Sequence, residues 1–186
     1  IAVDFSTAGL KSIKRLWSQS TPLCGKVTPV LMDAHALAFR PRSFDYVFIQ
    51  TTLMHLDWRI VGQAMAEVLK EGGKAIIIEP LNLNPLILVY RSIFSPFSAT
   101  LPNFLSFNDL KTLGQIFQSS SYHTFYLCAL LTLPIARYER VHAWLSKPLM
   151  AIDSWLFSVW PALQSWSWLA VAEYNVAKKR SQNILT

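Results

Sequence analysis

Glycine is scarce in this chain, with six residues in 186, and no G-x-G-x-G turn occurs anywhere. A loop of that type, in which successive glycines let the backbone approach a bound cofactor closely, is therefore absent from these residues. Cysteine is scarcer still. Cys24 and Cys128 stand far apart with no C-x-x-C spacing, which excludes a disulfide framework and a cysteine-based metal site and makes a reducing, cytoplasmic setting the expectation. Charge is sparse at 15% of residues and acid is the rarer sign, 11 Asp and Glu against 17 Lys and Arg. The bases are scattered, with one run at Lys178, Lys179 and Arg180, so no basic face interleaved with aromatics marks a nucleic-acid binder. An uninterrupted apolar run is missing too. The longest candidate, LMAIDSWLFSVWPALQSWSWLAVAEY over residues 149–174, carries Asp153, Pro161, Gln164 and Glu173, whereas a membrane-spanning helix needs about 20 apolar residues in succession.

What is abundant is apolar surface, 52% of the sequence, enough for one domain over residues 1–186 with a sizeable core. Its most regular stretch is 29–80. A short strand Val30–Met32 runs into Asp33 and Ala34, and a second, Phe44–Ile49, ends at Gln50, Thr51 and Thr52. A helix from Trp58 to about Lys70 stops at Gly72-Gly73, and a third strand, Lys74–Ile78, ends at Glu79-Pro80. Strands apolar on both faces belong to a mostly parallel sheet covered by helices, and such sheets bind ligands at the carboxyl ends of their strands. The polar residues stand at those ends. The pattern extends upstream: Ile1–Val3 reads as a strand with Asp4 at its end, followed by a helix capped by Ser6 or Thr7 and running to about Trp17. Asp4 is placed either to accept hydrogen bonds from ribose hydroxyls or to serve as a helix-entry carboxylate.

The series IAVDFSTAGLKSI, MDAHALAFRPRSFDYVFIQTTLMHL and AEVLKEGGKAIIIEP resembles the class I S-adenosylmethionine-dependent methyltransferases, in particular the broad type 11-like group acting on small molecules. The resemblance covers residues 1 to about 80 and implies an α/β fold. It implies a Rossmann-like sheet with helices on both faces and an antiparallel pair of strands at its carboxyl-terminal edge. It also implies S-adenosylmethionine as cofactor: Asp4 at the ribose, Phe5 beside the adenine, Asp33 and Ala34 reading the adenine ring and its amino group, and Gln50 and Thr51 beside the methionine part. The family's first strand and its glycine-rich turn have no counterpart here. In the family that strand lies between those starting at Ile1 and Phe44, so the expectation is an amino-terminally incomplete fold lacking a central ladder.

At Leu81 the sequence changes character. Residues 81–105 mix Asn, Pro and Ser with bulky apolar residues and read as a lid or acceptor-binding segment over a partial cofactor-binding core at 1–80. Residues 106–186 then read as carboxyl-terminal helices and edge strands. A helix starts at Ser106 or Asn108 and runs to Gln118, a strand covers Tyr122–Leu133, and helices cover Ile135–Leu145 and Pro148–Trp160. A Pro-marked turn leads to a last strand, Trp168–Ala177.

For chemistry, methyl transfer from a sulfonium is an in-line displacement that needs the acceptor held about 3 Å from the methyl carbon and water excluded. His55, just past the second strand of the 29–80 stretch, is the candidate general base; packing at the entry of the Asp57-Trp58 helix is the alternative. Arg91, with Tyr90, is placed to hold an anionic group of the acceptor, or is a surface residue. Glu79 is placed to face the acceptor or to anchor a loop. His35 and Asp45 are assigned to structure, Asp45 as a cap on backbone amides, and no metal site is expected. The late tryptophans, Trp144, Trp155, Trp160, Trp166 and Trp168, read as core, most clearly Trp155. With Lys147 and the terminal basic run, they read alternatively as an interfacial surface for a hydrophobic or lipid-linked acceptor and for peripheral membrane contact. Two other functions stay open: a non-catalytic remnant of the fold that binds a partner, and a nicotinamide-dependent oxidoreductase, against which Asp33-Ala34 and Lys-Glu-Gly-Gly argue.

Overall fold

The computed structural model describes residues 1–19, 26–94 and 103–178, without the side chains of 19 and 90–94. Cys24, Lys179 and Arg180 thus lie outside the described residues. The strands form two sheets rather than one. β1 (Ala2–Asp4) pairs in parallel with β2 (Pro29–Leu31), and α1 (Thr7–Gln19) connects them. β3 (Phe44–Gln50), β4 (Leu69–Pro80), β5 (Ser119–Phe125) and β6 (Leu169–Asn175) form the second sheet in the order β3-β4-β6-β5. β3 and β4 are parallel, whereas β6 runs antiparallel to both its neighbours, which is the expected carboxyl-terminal edge pair.

The core follows from strand alternation. Ala75 and Ile77 of β4 and Ala170, Ala172 and Tyr174 of β6 point to one face and are fully buried. α2 (Trp58–Val68) covers them with Val61 and Met65, and α4 (Phe107–Gly114) covers them with Leu110 and Leu113. Burying each of the larger of these side chains contributes about 1.5–3 kcal/mol. Tyr174 stacks on Phe117 with ring centroids 5.0 Å apart and donates its hydroxyl to the carbonyl of Leu110 at 2.7 Å. Burial holds that phenol far above its ordinary pKa, so it stays a donor.

Several boundaries differ from expectation. α2 ends at Val68, not Lys70, because Leu69 already has extended backbone angles. The two glycines do not end the helix but lie within β4: register jumps between Phe44↔Leu69 and Tyr46↔Lys74, and Gly72 takes a φ of 74° in that bulge. A side chain on Gly73 would crowd the carbonyls of Lys70 and Asp45. Asp45 does not cap amides there; both its oxygens bind Lys70 Nζ, at 2.8 and 2.9 Å. The strand expected over Tyr122–Leu133 is displaced to β5, and Ala129–Ile135 forms a 3-10 turn instead. The two late helices are one, α5 (Glu139–Val159), with Pro148 inside it. Pro148 lies on the solvent side, where the carbonyl deprived of its partner can bind water, so the helix continues. Trp155, expected in the core, is 62% exposed on the same helix.

The segment at 81–105 begins beside the sheet. Leu81 bridges in parallel to Leu105, and its N–H donates to the carbonyl of Trp168 at 2.7 Å. α3 (Pro85–Phe94) follows, capped by the fully buried Asn84. Asn84 Oδ1 accepts from the N–H groups of Leu86 and Ile87, while its Nδ2 donates to the carbonyls of Tyr126 and Trp166. One amide thus ties the start of α3 to two carboxyl-terminal loops.

Candidate functional site

Between β1 and the free edge of β3 lies a cavity of about 480 Å³. It runs alongside β3 from Phe44 to Gln50, in the position the resemblance gives to the family's first strand, and only Ala34, Gln50 and Thr52 of its lining stand at the carboxyl ends of the parallel strands. Val3, Ala34, Gln50 and Thr52 line it, and Phe48 and Met65 contribute to its apolar wall.

The loop after β3 is held by a single carboxylate. Glu79, fully buried at the end of β4, accepts through Oε1 from the N–H groups of Thr52 and Leu53, at 2.7 and 2.8 Å. Its Oε2 has no hydrogen-bond partner among the described residues. Desolvation pushes the Glu79 carboxyl above its ordinary pKa, against the downward pull of the backbone donors. The anchored loop includes Thr51 at a φ of 48°, a left-handed conformation that costs a β-branched residue about 1–3 kcal/mol and persists where its surroundings enforce it. Here the enforcement is visible: Thr51 N–H donates to the Ile78 carbonyl at 2.9 Å, immediately before the two bonds to Glu79. Glu79 is thus a loop anchor enclosed by protein, not a side chain facing an acceptor. His55 ends the 3-10 turn Leu53–His55 that follows and is exposed.

The loop after β2 is fixed by a relay missed at the sequence level. His35 Nε2 accepts the N–H of Asp57 at 3.0 Å, which places the ring proton on Nδ1, facing Asp33 Oδ1 at 2.8 Å. Asp33 Oδ1 also accepts the His35 N–H at 2.9 Å. The His35 backbone and side-chain bonds hold the exposed Asp33 carboxyl below its ordinary pKa. Asp57 in turn caps α2 by accepting the N–H of Arg59. His35, assigned only to structure, therefore orients Asp33 against the start of α2. The signal available in the sequence was the Asp-x-His spacing alone; the third partner lies 22 residues on.

The remaining expected residues are placed less centrally. Asp4 Oδ1 accepts the N–H of Ser6 at 2.7 Å, and its other oxygen lies so close to Gly9 that any side chain there would collide with it. Its carboxylate faces the first turn of α1, the helix-entry arrangement. Phe5 is 79% exposed, and neither residue lines the cavity. Tyr90 and Arg91 belong to α3, but their side chains are outside the described residues. The structure therefore gathers Ala34, Gln50 and Thr52 at the cavity, with Asp33 and Thr51 adjacent in sequence.

Residues 1–77 match the family model described as a methyltransferase domain. Among solved structures, the chain is similar to phosphoethanolamine N-methyltransferase 2 of Haemonchus contortus in complex with S-adenosylmethionine: TM-score 0.59, 18% identity, 95% of this chain and 43% of that one. It is also similar to a possible histamine N-methyltransferase of Thermotoga maritima, at a TM-score of 0.60 and 15% identity over 94% of this chain and 72% of that one. A methyltransferase of Methanosarcina mazei gives 0.59 and 12% over 95% and 81%. The chain thus spans less than half the length of the nematode enzyme. No curated protein matched the sequence. At these identities the structural likeness is one of fold, and the fold is the α/β, Rossmann-like one of class I methyltransferases. The resemblance read from the strand ends is borne out on the fold and on the domain match.

Proposed function

We propose that this chain transfers a methyl group from S-adenosylmethionine to a small acceptor that is hydrophobic or lipid-linked. The observation supporting this reading is that Asp33, held by His35, directly precedes Ala34 in the lining of the inter-sheet cavity, within the stretch matching a methyltransferase domain. Asp33 Oδ2 makes no hydrogen bond among the described residues and is free to accept from an adenine amino group; Ala34 supplies the apolar contact beside it. Bound there, the cofactor supplies an activated methyl group, and the task of the chain is to orient it and exclude water. Gln50 and Thr51 flank the methionine part in this reading. Asp4 meets the ribose with an oxygen that must turn from Gly9. His55 takes a proton from the acceptor, and Tyr90 and Arg91 are assigned to the acceptor on the sequence alone.

The engaged Asp4 favours a second reading, a non-catalytic domain of this fold. Calorimetric titration of the intact protein with S-adenosylhomocysteine separates the two. The enzyme reading requires saturable heat, and its absence sinks that reading; the same titration with NAD tests the oxidoreductase alternative. Asp33→Ala is expected to weaken S-adenosylhomocysteine binding roughly tenfold to a hundredfold, the loss of one charge-assisted hydrogen bond of about 1.5–3 kcal/mol. Unchanged affinity removes Asp33 from the site.

A further inference from the structure

The face that α5 turns to solvent is apolar along the whole helix. Val141, Trp144, Pro148, Ile152, Trp155 and Val159 recur at spacings of three and four residues and are all exposed, Trp144 to 74%. At about 100° per residue they fall within an arc of about 80°. The opposite face seats the helix on the body of the protein through Phe157 and the buried Asp153, whose carboxylate accepts from the N–H groups of Leu127, Cys128 and Ala129. Apolar residues on both faces are thus not a core motif, because only one face has a core to meet. In the turn after the helix, Trp160 and Trp166 are exposed as well. A contiguous apolar patch of this kind marks an interaction surface rather than ordinary surface variation.

The flank of the stripe identifies its partner. Arg140 and Lys147 project from one side of it together with Ser154 and Ser158, and Arg137 precedes the helix with its guanidinium 4.7 Å from the Tyr138 ring centroid. No ion pair among the described residues engages any of these three cations. A second copy set antiparallel on the same stripe would bring these cations against their own counterparts. Indole rings with an apolar body and a polar N–H, bordered by cations, suit the boundary between lipid headgroups and acyl chains. No helix of the described residues is long and apolar enough to cross a membrane, so the fit is to one leaflet.

We propose that α5 lies flat on a bilayer surface containing anionic lipid, with Trp144 and Trp155 in the headgroup–acyl boundary and Arg140 and Lys147 on lipid phosphates. This surface does not depend on methyl transfer. It is tested by flotation of the intact protein with vesicles of phosphatidylcholine alone and of phosphatidylcholine with phosphatidylserine. Binding is expected to the anionic vesicles and to fall with salt. Trp144→Ser with Trp155→Ser, and separately Arg140→Glu with Lys147→Glu, are each expected to weaken it roughly tenfold or more. These side chains are exposed, so circular dichroism should be unchanged; if the tryptophan variant loses helix, the charge variant alone decides. Absence of vesicle binding overturns the proposal, as does binding indifferent to the charge variant. A dimer that Trp155→Ser dissociates, without vesicle binding, assigns the stripe to a second copy and overturns it equally.

Discussion

Asp153→Ala is expected to lower the stability of the protein by about 3–4 kcal/mol. The carboxylate is 2% exposed, and it receives three backbone donors: Leu127 N–H at 2.9 Å, Cys128 N–H at 2.7 Å and Ala129 N–H at 3.2 Å. Those donors open the 3-10 turn Ala129–Ile135, which has no capping side chain of its own, so Asp153 acts as its cap from 24 to 26 residues away. Alanine leaves the donors without an acceptor, at about 1–3 kcal/mol each, less what is regained by no longer burying a charge. Hydrogen bonds to an ionised group are worth about 1.5–3 kcal/mol, which favours the upper part of that range. For a chain of this length the midpoint of thermal unfolding should fall by roughly 6–16 °C. Asp153→Asn keeps one oxygen acceptor but turns an NH₂ towards a backbone N–H, and about half the loss is expected. Differential scanning calorimetry of the three proteins checks the series. A shift under about 1 °C for alanine would show that water replaces the carboxylate and that the cap contributes nothing.

The same residue shows why parts of this fold were legible and others were not. In the sequence Asp153 reads only as a charge interrupting an apolar run. Its partners lie more than 20 residues upstream, and hydrogen bonds of that separation leave no local pattern. The anchors of the candidate site behave alike: Glu79 meets Thr52 across 27 residues and His35 meets Asp57 across 22. By contrast β2, β3 and β6 were readable because apolar runs ending in polar residues are local. Ser106 was readable too, since its capping box with Asp109 lies within one helical turn. The misreadings also have local causes. Pro148 reads as a boundary because proline in a helix interior costs about 3 kcal/mol. That argument carries less weight where the deprived carbonyl faces water and the far face of the helix is anchored by Asp153. Trp155 reads as core because helical periodicity reports that a face is apolar without reporting what it faces. The Gly72-Gly73 pair announced an unusual backbone, and only the register shift against β3 showed that a bulge requires it.

Glu79→Ala is expected to be comparably destructive, about 3 kcal/mol, with the damage concentrated at the candidate site. It deprives the N–H groups of Thr52 and Leu53 of their shared acceptor, each loss costing about 1–3 kcal/mol, and opens a cavity beneath the loop. The strained Thr51 then loses the contacts that enforce it, so relaxation of its φ towards negative values offsets part of the cost and moves Gln50 and Thr52 from the cavity wall. Glu79→Gln isolates the role of the charge. Its amide oxygen still serves both donors, so the loop stays in place and the loss is about 1 kcal/mol, from an NH₂ group set where Oε2 already lacks a partner. The two variants also differ in pH dependence. Burial raises the native pKa of Glu79 above its unfolded value, so between the two the native state binds more protons and stability falls as pH rises. Chemical denaturation at a series of pH values should therefore show this decline in the parent and its loss in Glu79→Gln. If the decline survives in the glutamine variant, another group produces it; if alanine costs no more than glutamine, the loop is not held by this carboxylate. Only a loop held by Glu79 ties stability, the pH slope and the position of Gln50 and Thr52 to one side chain.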